Sequence, residues 1–265
     1  MPRIRLDQLL VDRGLARSRT EAQSLLMAGG VELTGSGTRA LKPGQLVATD
    51  VELVTVPQPR WASRGGEKLS AALDAFALDP SGSACLDAGA STGGFTDVLL
   101  ERGARVVYAV DVGRGQLIER LRRDPRVRVL DRTNLRTLES LPELVELATL
   151  DLSFISLALV LPTVRRLLAE GGRAVALVKP QFEAGREAVP RGGVVRDPAV
   201  HRDVLLRFGD AAGDSGFAPT RVMRSPIAGG SGNTEFLALL ESRSSIKPGK
   251  EAWRRTVEAL FEPSV

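Results

Sequence analysis

The sequence predicts an α/β protein: a doubly wound domain with a seven-stranded, mostly parallel sheet ending in an antiparallel hairpin, preceded by a small α+β module. Three observations carry this prediction. From residue 64 onward, apolar runs of strand length alternate with helical periodicity. A glycine-rich turn joins the first of these strands to a helix. The last two strands are joined through Gly229-Gly230-Ser231-Gly232-Asn233, too short for a crossover helix, which makes them antiparallel neighbours. A length of 265 residues fits roughly two domains.

Residues 1–57 read as the module, with two short helices followed by strands. The second helix opens at Ser18 with Glu21 three positions on, a capping-box spacing. Ala22, Leu25 and Leu26 supply its apolar face, and Gly29-Gly30 ends it. Strands follow at 31–33, 46–47 and 51–56. Residues 58–63 form a linker, because prolines flank Gln58 and no periodicity survives as far as Trp61. The α/β domain occupies 64–265, with strands near 84–88, 106–110, 127–130, 148–152, 174–178, 220–223 and 235–240. An amphipathic helix is expected from Glu251 to Phe261.

Composition narrows the class. With 43% hydrophobic and 26% charged residues the chain is neither disordered nor fibrous. The apolar runs at 154–161 and 174–178 fall far short of the ~20 residues of a membrane span, and no apolar core follows the basic amino end, so no secretory signal is read. One cysteine, Cys85, and one histidine, His201, exclude an intrachain disulfide and a Cys/His zinc cluster. These counts point to a reducing cytoplasm; the protein is expected to be a monomer when free and to require no metal. Cys85 lies inside a strand and is expected in the core; His201 is expected on a helix surface. Of 36 Lys/Arg residues, five are lysines, at 42, 68, 179, 247 and 250. The net charge is +4; residues 1–70 hold ten Lys/Arg against seven Asp/Glu, so most of the excess lies in the amino-terminal 70 residues, the small module together with the linker and the start of the next domain.

In that module Arg13, Arg17, Ser18 and Arg19 surround the start of a helix, where exposed amides and the dipole favour phosphate. Together with Arg5, Lys42 and, at the start of the next domain, Arg64, they are the candidate RNA contacts. Residues 3–56 resemble the RNA-binding fold first named from a small-subunit ribosomal protein. The module is almost without aromatic residues, so shape and phosphate recognition of folded RNA is expected rather than base stacking. A solvated basic face on a helical hairpin is the alternative.

The turn Asp87-Ala88-Gly89-Ala90-Ser91-Thr92-Gly93-Gly94-Phe95 fails as a dinucleotide fingerprint, because Ser91 stands where a second glycine is required. An acidic residue two before Gly89 and a glycine four after it fit an S-adenosylmethionine loop. Gly89, Ala90, Ser91, Gly93, Gly94 and Phe95 are therefore candidate cofactor contacts. Asp87 is placed to favour the cofactor's cationic groups, Asp111 to accept its ribose hydroxyls, and Asp131 to meet its adenine amino group.

Three further segments bear ionisable groups: Arg64 to Lys68, Asp151 to Ser156, and Lys179 to Glu183. A fourth, Gly232-Asn233-Thr234-Glu235, enters the last strand. With these motifs the chain, from about residue 3 to 240, resembles the TlyA family of ribosomal RNA 2′-O-methyltransferases, whose catalytic domain is similar to the FtsJ group with its Lys-Asp-Lys-Glu tetrad. The resemblance implies a Rossmann-like methyltransferase fold, S-adenosylmethionine as cofactor, ribosomal RNA or ribosomal subunits as partner, and cytidines in 16S or 23S RNA as targets. The tetrad would be Lys68, Asp151, Lys179 and Glu235. In some family members a carboxyl-terminal extension accompanies a broader choice of RNA sites.

The chemistry is consistent with that implication. A 2′-hydroxyl attacks once its proton leaves, which requires a base within about 3 Å. Lysine serves if burial and a neighbouring cation lower its proton affinity, whereas arginine cannot release its proton. Lys179 is the expected base, with Lys68 as its cationic neighbour and Asp151 and Glu235 orienting the pair. Carbon-5 pyrimidine methylation would need a nucleophilic cysteine at the site; amino-group methylation usually carries prolines that Asp151-Leu152-Ser153-Phe154 lacks. A non-catalytic assembly factor is the alternative from another class, and a membrane-lytic role finds no supporting segment. The loop 183–196 reads either as a lid or as an unordered stretch.

Overall fold

The computed structural model describes residues 2–27, 30–34, 43–55, 60–229, 232–242 and 250–262. The chain divides into two units, Met1–Arg60 and Trp61–Val265.

The first unit contains β1 (Arg3–Arg5), α1 (Leu6–Asp12), α2 (Arg19–Met27), β2 (Val31–Leu33), β3 (Leu46–Ala48) and β4 (Leu53–Thr55). β1 pairs antiparallel with β3, and β2 with β4. Leu6, Leu9, Leu10, Ala22, Leu26 and Val31 form its core. The strand β1 was hidden in sequence because three residues carry no periodicity; Ile4 opposite Val47 is its one pair of apolar residues. At the start of α2, Ser18 Oγ accepts from the Glu21 N–H (3.2 Å), and the Glu21 carboxylate accepts from Arg17 N–H (2.7 Å). The capping box thus forms with its return bond one residue early.

The second unit runs α3 (Gly65–Phe76), β5 (Ala84–Ala88), α4 (Gly94–Glu101), β6 (Val106–Val110), α5 (Glu119–Arg122), β7 (Val127–Leu130), β8 (Val145–Leu150), α6 (Leu161–Leu167), β9 (Leu168–Val178), α7 (Pro180–Glu183), α8 (Pro198–Asp214), β10 (Phe217–Arg224), β11 (Phe236–Ser242) and α9 (Lys250–Phe261). Among the described residues its sheet has seven strands in the order β10-β11-β9-β8-β5-β6-β7. β9, β8, β5, β6 and β7 are mutually parallel; β11 runs antiparallel to both β9 and β10. This is the predicted architecture. Several boundaries differ, among them that β8 ends at Leu150, leaving Asp151 beyond the strand, and that β9 begins with an irregular stretch whose register against β8 jumps before Arg173.

Alternation along the strands sends side chains to two apolar layers. Leu69 and Leu73 of α3 and Leu99 of α4 pack on Cys85, Val107 and Val175. Val164 of α6, Phe208 of α8 and Trp253 of α9 pack on Leu86, Leu150 and Phe236 on the other face. Cys85 is buried, as expected, and burial pushes its thiol up to about 12.

Two readings change. His201 is not a surface residue: it is 4% exposed, its Nε2 lies 2.9 Å from the Val195 carbonyl oxygen, and its ring meets Phe236 edge-on. It shares the buried stripe of Val204, Leu205, Phe208 and Ala212, so helical spacing takes it inward. Of the segment read as a linker, Gln58 and Pro59 lie outside the described residues, while Trp61 packs into the second unit. Its indole N–H donates to Glu101 (2.9 Å), and Ala62 N–H donates to Asp97 (2.8 Å). No helix among the described residues is long and apolar enough to cross a membrane.

Candidate active site

The carboxyl ends of parallel strands gather polar groups where loops diverge. Here the ends of β5, β6, β8 and β9 bring Gly89, Asp111, Asp151 and Lys179 into one region. Gly89 (φ +86°) must be glycine, since a Cβ there would collide with the Asp151 carbonyl oxygen. Gly93 (φ +103°) ends the loop and caps α4.

Two cavities open around this loop. One, of about 460 Å³, is walled by Val112, Leu135, Leu152 and Ile155, with Asp111 and Asn134 as polar groups. The other, of about 410 Å³, is lined by Arg64, Lys68, Ala90, Gly94, Phe95 and Ile227. Gly89, Ser91 and Asp151 border both. The first lies in the ~300–1,000 Å³ range of small-molecule sites and combines apolar walls with polar groups, among them Gln116, Thr133 and Arg136. Its glycine cradle, apolar slot and carboxylate fit S-adenosylmethionine.

The four tetrad candidates form two ion pairs rather than one mixed cluster. Lys68 Nζ lies 2.5 Å from Glu235 Oε2, and Lys179 Nζ lies 2.7 Å from Asp151 Oδ1. Lys179 also donates to Ser153 Oγ at 3.0 Å. Lys68, Lys179 and Glu235 are buried, while Asp151 faces the cavities. Thus each lysine has its own carboxylate. Glu235 sits just before β11 rather than within it, and Asn233, two residues earlier, is buried with its amide bonded to Val195 N–H and the Gly193 carbonyl, both at 2.9 Å. This ties the far end of the 183–196 loop to the tetrad strand; its near end is α7 and a short 3₁₀ turn at Arg186–Ala188, not an unordered stretch.

The three acidic cofactor candidates separate. Asp111 borders the first cavity and accepts from Ser91 N–H (2.9 Å) and Gly113 N–H (2.7 Å), holding the loop in place. Asp87 is wholly buried beneath the loop, taken by the hydroxyls of Thr96 (2.6 Å) and Thr149 (3.1 Å). Burial pushes its carboxyl up to about 6 against these bonds. Asp131 turns to Gly115 N–H (3.1 Å) and Arg122 (3.0 Å), which hold it below the usual carboxylate range, and the cavity wall at that level is Thr133, Asn134 and Leu135. Sequence reasoning singled out Asp131 among these neighbours; in the structure its carboxylate is engaged by Gly115 and Arg122.

It also missed Phe154 and Phe182. Their rings lie 5.0 Å apart beside Lys179, and Phe154 is 91% exposed. An aromatic flanking a candidate catalytic aspartate was the available signal.

In the first unit the basic candidates are held rather than free. Asp7, with no exposed side-chain surface, accepts from Arg5 (3.0 and 2.8 Å), Arg19 (3.3 Å) and Gln23 (3.0 Å). Arg13 donates to the Val51 (2.6 Å) and Thr49 (2.8 Å) carbonyls. Ser18 serves as the helix cap, Arg17 is exposed, and Lys42 lies outside the described residues. Arg64 is exposed at the second cavity.

Comparison with known proteins places this geometry. Residues 61–242 match the family model of the FtsJ-like methyltransferases. The chain is 48% identical over 246 residues to the 16S/23S rRNA (cytidine-2′-O)-methyltransferase TlyA of Mycobacterium tuberculosis, covering 91% of each. A solved structure of a candidate hemolysin from Streptococcus thermophilus is 43% identical, with a TM-score of 0.74 over 98% of this chain and 96% of that one. A candidate S-adenosylmethionine-dependent methyltransferase of Listeria monocytogenes, at 16% identity and a TM-score of 0.52 over 69% of this chain and 100% of that one, shares the fold.

Proposed function

The chain belongs to the FtsJ-like methyltransferase family, and from that premise we propose that it methylates the ribose 2′-hydroxyl of cytidines in 16S or 23S ribosomal RNA. The observation that carries this reading is the pair of buried lysine–carboxylate contacts beside the glycine cradle. S-adenosylmethionine, when bound, supplies a methyl carbon activated by a positively charged sulfur. Gly89, Ser91 and Asp111 would hold it, with Leu135, Leu152 and Ile155 against its adenine.

Lys179 in its neutral form accepts the hydroxyl proton. Asp151 and Ser153 fix its Nζ at the cavity edge, so the amine arrives oriented. The Asp151 carboxylate stabilises the positive charge that then resides on Lys179. Lys68, held by Glu235, lines the second cavity and favours the developing alkoxide. Phe154 and Phe182 offer a face on which the target base stacks once it leaves its helix. Arg5 and Arg19, held by Asp7, and exposed Arg17 and Arg64 meet phosphates. With ribosomal RNA as substrate the protein works in the cytoplasm, as a monomer.

The test is transfer from methyl-labelled S-adenosylmethionine to purified ribosomal subunits, with the labelled nucleotide mapped by mass spectrometry. Label on a cytidine ribose, lost in Lys179→Ala, is the expected result. Label on a base, no label, or label that survives the substitution overturns the reading.

A further inference from the structure

Beyond the tetrad, the segment after β8 and the segment after β9 run side by side and are joined at three successive levels. Lys179 reaches Asp151 (2.7 Å) and Ser153 (3.0 Å). Phe182 meets Phe154 with ring centroids 5.0 Å apart. Glu183 accepts from the Ser156 hydroxyl and the Leu157 N–H, both at 2.7 Å. The first level belongs to the proposed chemistry and the second to the stacking face. The third has no role yet.

Phe154 gives it one. Its φ of +64° lies in the left-handed region, which a bulky aromatic residue rarely occupies. Its ring is 91% exposed, so no burial of its own holds it there. The conformation must be imposed by its flanks. On the amino side Asp151 is held by Lys179. On the carboxyl side the chain enters the short 3₁₀ turn Leu157–Leu159, capped by Ser156. Leu157 is 2% exposed and anchors that turn in the core. Glu183 binds both the capping hydroxyl and the first amide of the turn, so its two oxygens determine how the chain leaves Phe154. Strained residues of this kind persist where the surroundings over-determine them, and they gather at sites of function.

We infer that Glu183 is a positioning residue for methyl transfer: its carboxylate holds the turn that presents Phe154 to the target nucleotide. The inference rests on the functional reading above, and its test separates the two. In limited proteolysis of the full chain, chymotrypsin cleavage after Phe154, followed by mass spectrometry, reports how firmly the turn is held without requiring any activity. Glu183→Ala should raise the rate of that cut about tenfold, in proportion to the population of the opened turn. Glu183→Gln, which can still accept from Leu157 and donate to Ser156, should fall between Glu183→Ala and wild type. In the methylation assay Glu183→Ala should raise the KM for RNA about tenfold with a smaller change in kcat, and added to Phe154→Ala it should cost less than about twofold more, the non-additivity of residues acting through one another. Wild-type cleavage rates in Glu183→Ala, or losses that multiply in the double variant, overturn the inference. If the wild-type protein methylates no RNA, the functional reading fails, and the cleavage rates still decide whether Glu183 holds Phe154.

Discussion

Asp7 in the first unit and Asp87 in the second are both fully buried, yet their carboxyl groups are driven in opposite directions. The Arg5 guanidinium, aided by Gln23 and Arg19, holds Asp7 well below the usual carboxylate range. Asp87 has two threonine hydroxyls for partners, and burial pushes it up to about 6. What differs is the charge of the donors, since burial alone disfavours a carboxylate in either place. The consequence is architectural. In the first unit a buried acid arranges cations whose side chains remain about half exposed, 48% for Arg5 and 51% for Arg19. In the second, a buried acid holds a buried cation, as Glu235 holds Lys68. One arrangement leaves its cations open to solvent; the other encloses its cation.

The sharpest way to break this comparison is to exchange the kind of cation in the second unit. Lys179→Arg preserves a positive partner for Asp151 but cannot accept a proton, so the methylation rate should fall by about 10²–10⁴. Calorimetric binding of S-adenosylmethionine should survive. A variant retaining a tenth of the wild-type rate would remove Lys179 as base.

Next in size is Asp7→Ala, which leaves two arginines and a glutamine without their shared acceptor. It should cost the first unit on the order of 2 kcal/mol, read as faster hydrogen exchange in Leu6–Asp12. Because folding depresses the Asp7 carboxyl, its contribution is present above the unfolded value, 3.8, and is lost as pH falls below it. The protection factors of this helix, which are corrected for intrinsic exchange, should therefore fall below pH 3.8 in wild type, and protection that is insensitive to acid would contradict the assignment.

Asp87 should show the opposite sign. Folding raises its carboxyl from 3.8 to about 6, so the native state binds the proton more tightly and stability increases as pH falls through that window. Asp87→Asn removes the penalty of a buried charge and should stabilise the second unit by on the order of 2 kcal/mol at pH 8, with little gain at pH 4. Thermal melts at both values decide, and an equal gain at both would refute the electrostatic origin.

The smallest effect concerns the outward cations. Replacing Arg5 and Arg19 together by alanine should weaken RNA binding about tenfold and lower the slope of log affinity against log salt by about two, roughly one for each phosphate that is no longer neutralised. An unchanged slope would show that these arginines serve Asp7 alone.

Much of the catalytic unit was legible in sequence because its signals are local. Strand alternation, the glycine turn and the lack of room for a crossover between β10 and β11 each follow from a few adjacent residues. Capping at Ser18 was legible for the same reason, and so was the scarcity of lysine that marked Lys68 and Lys179. His201 was misread although its spacing from Val204, Leu205 and Phe208 was available, because a polar residue was assumed to face water. Asp131 was favoured for its charge, but the direction of a side chain after a strand depends on the loop that follows, and here that loop delivers it to Gly115 and Arg122.

The sequence by itself determined the fold class and the glycine cradle, since each is a property of residue type and short spacing. Only the tertiary structure decided which lysine meets which carboxylate, that Asp87 lies beneath the cofactor loop while Asp111 lines it, and that Glu183 reaches back to the turn behind Phe154. Lys68 and Glu235 stand 167 residues apart along the chain. Pairings of that kind depend on strand order and register, which periodicity does not encode, and on a distance of a few ångströms over which hydrogen bonds and burial take effect.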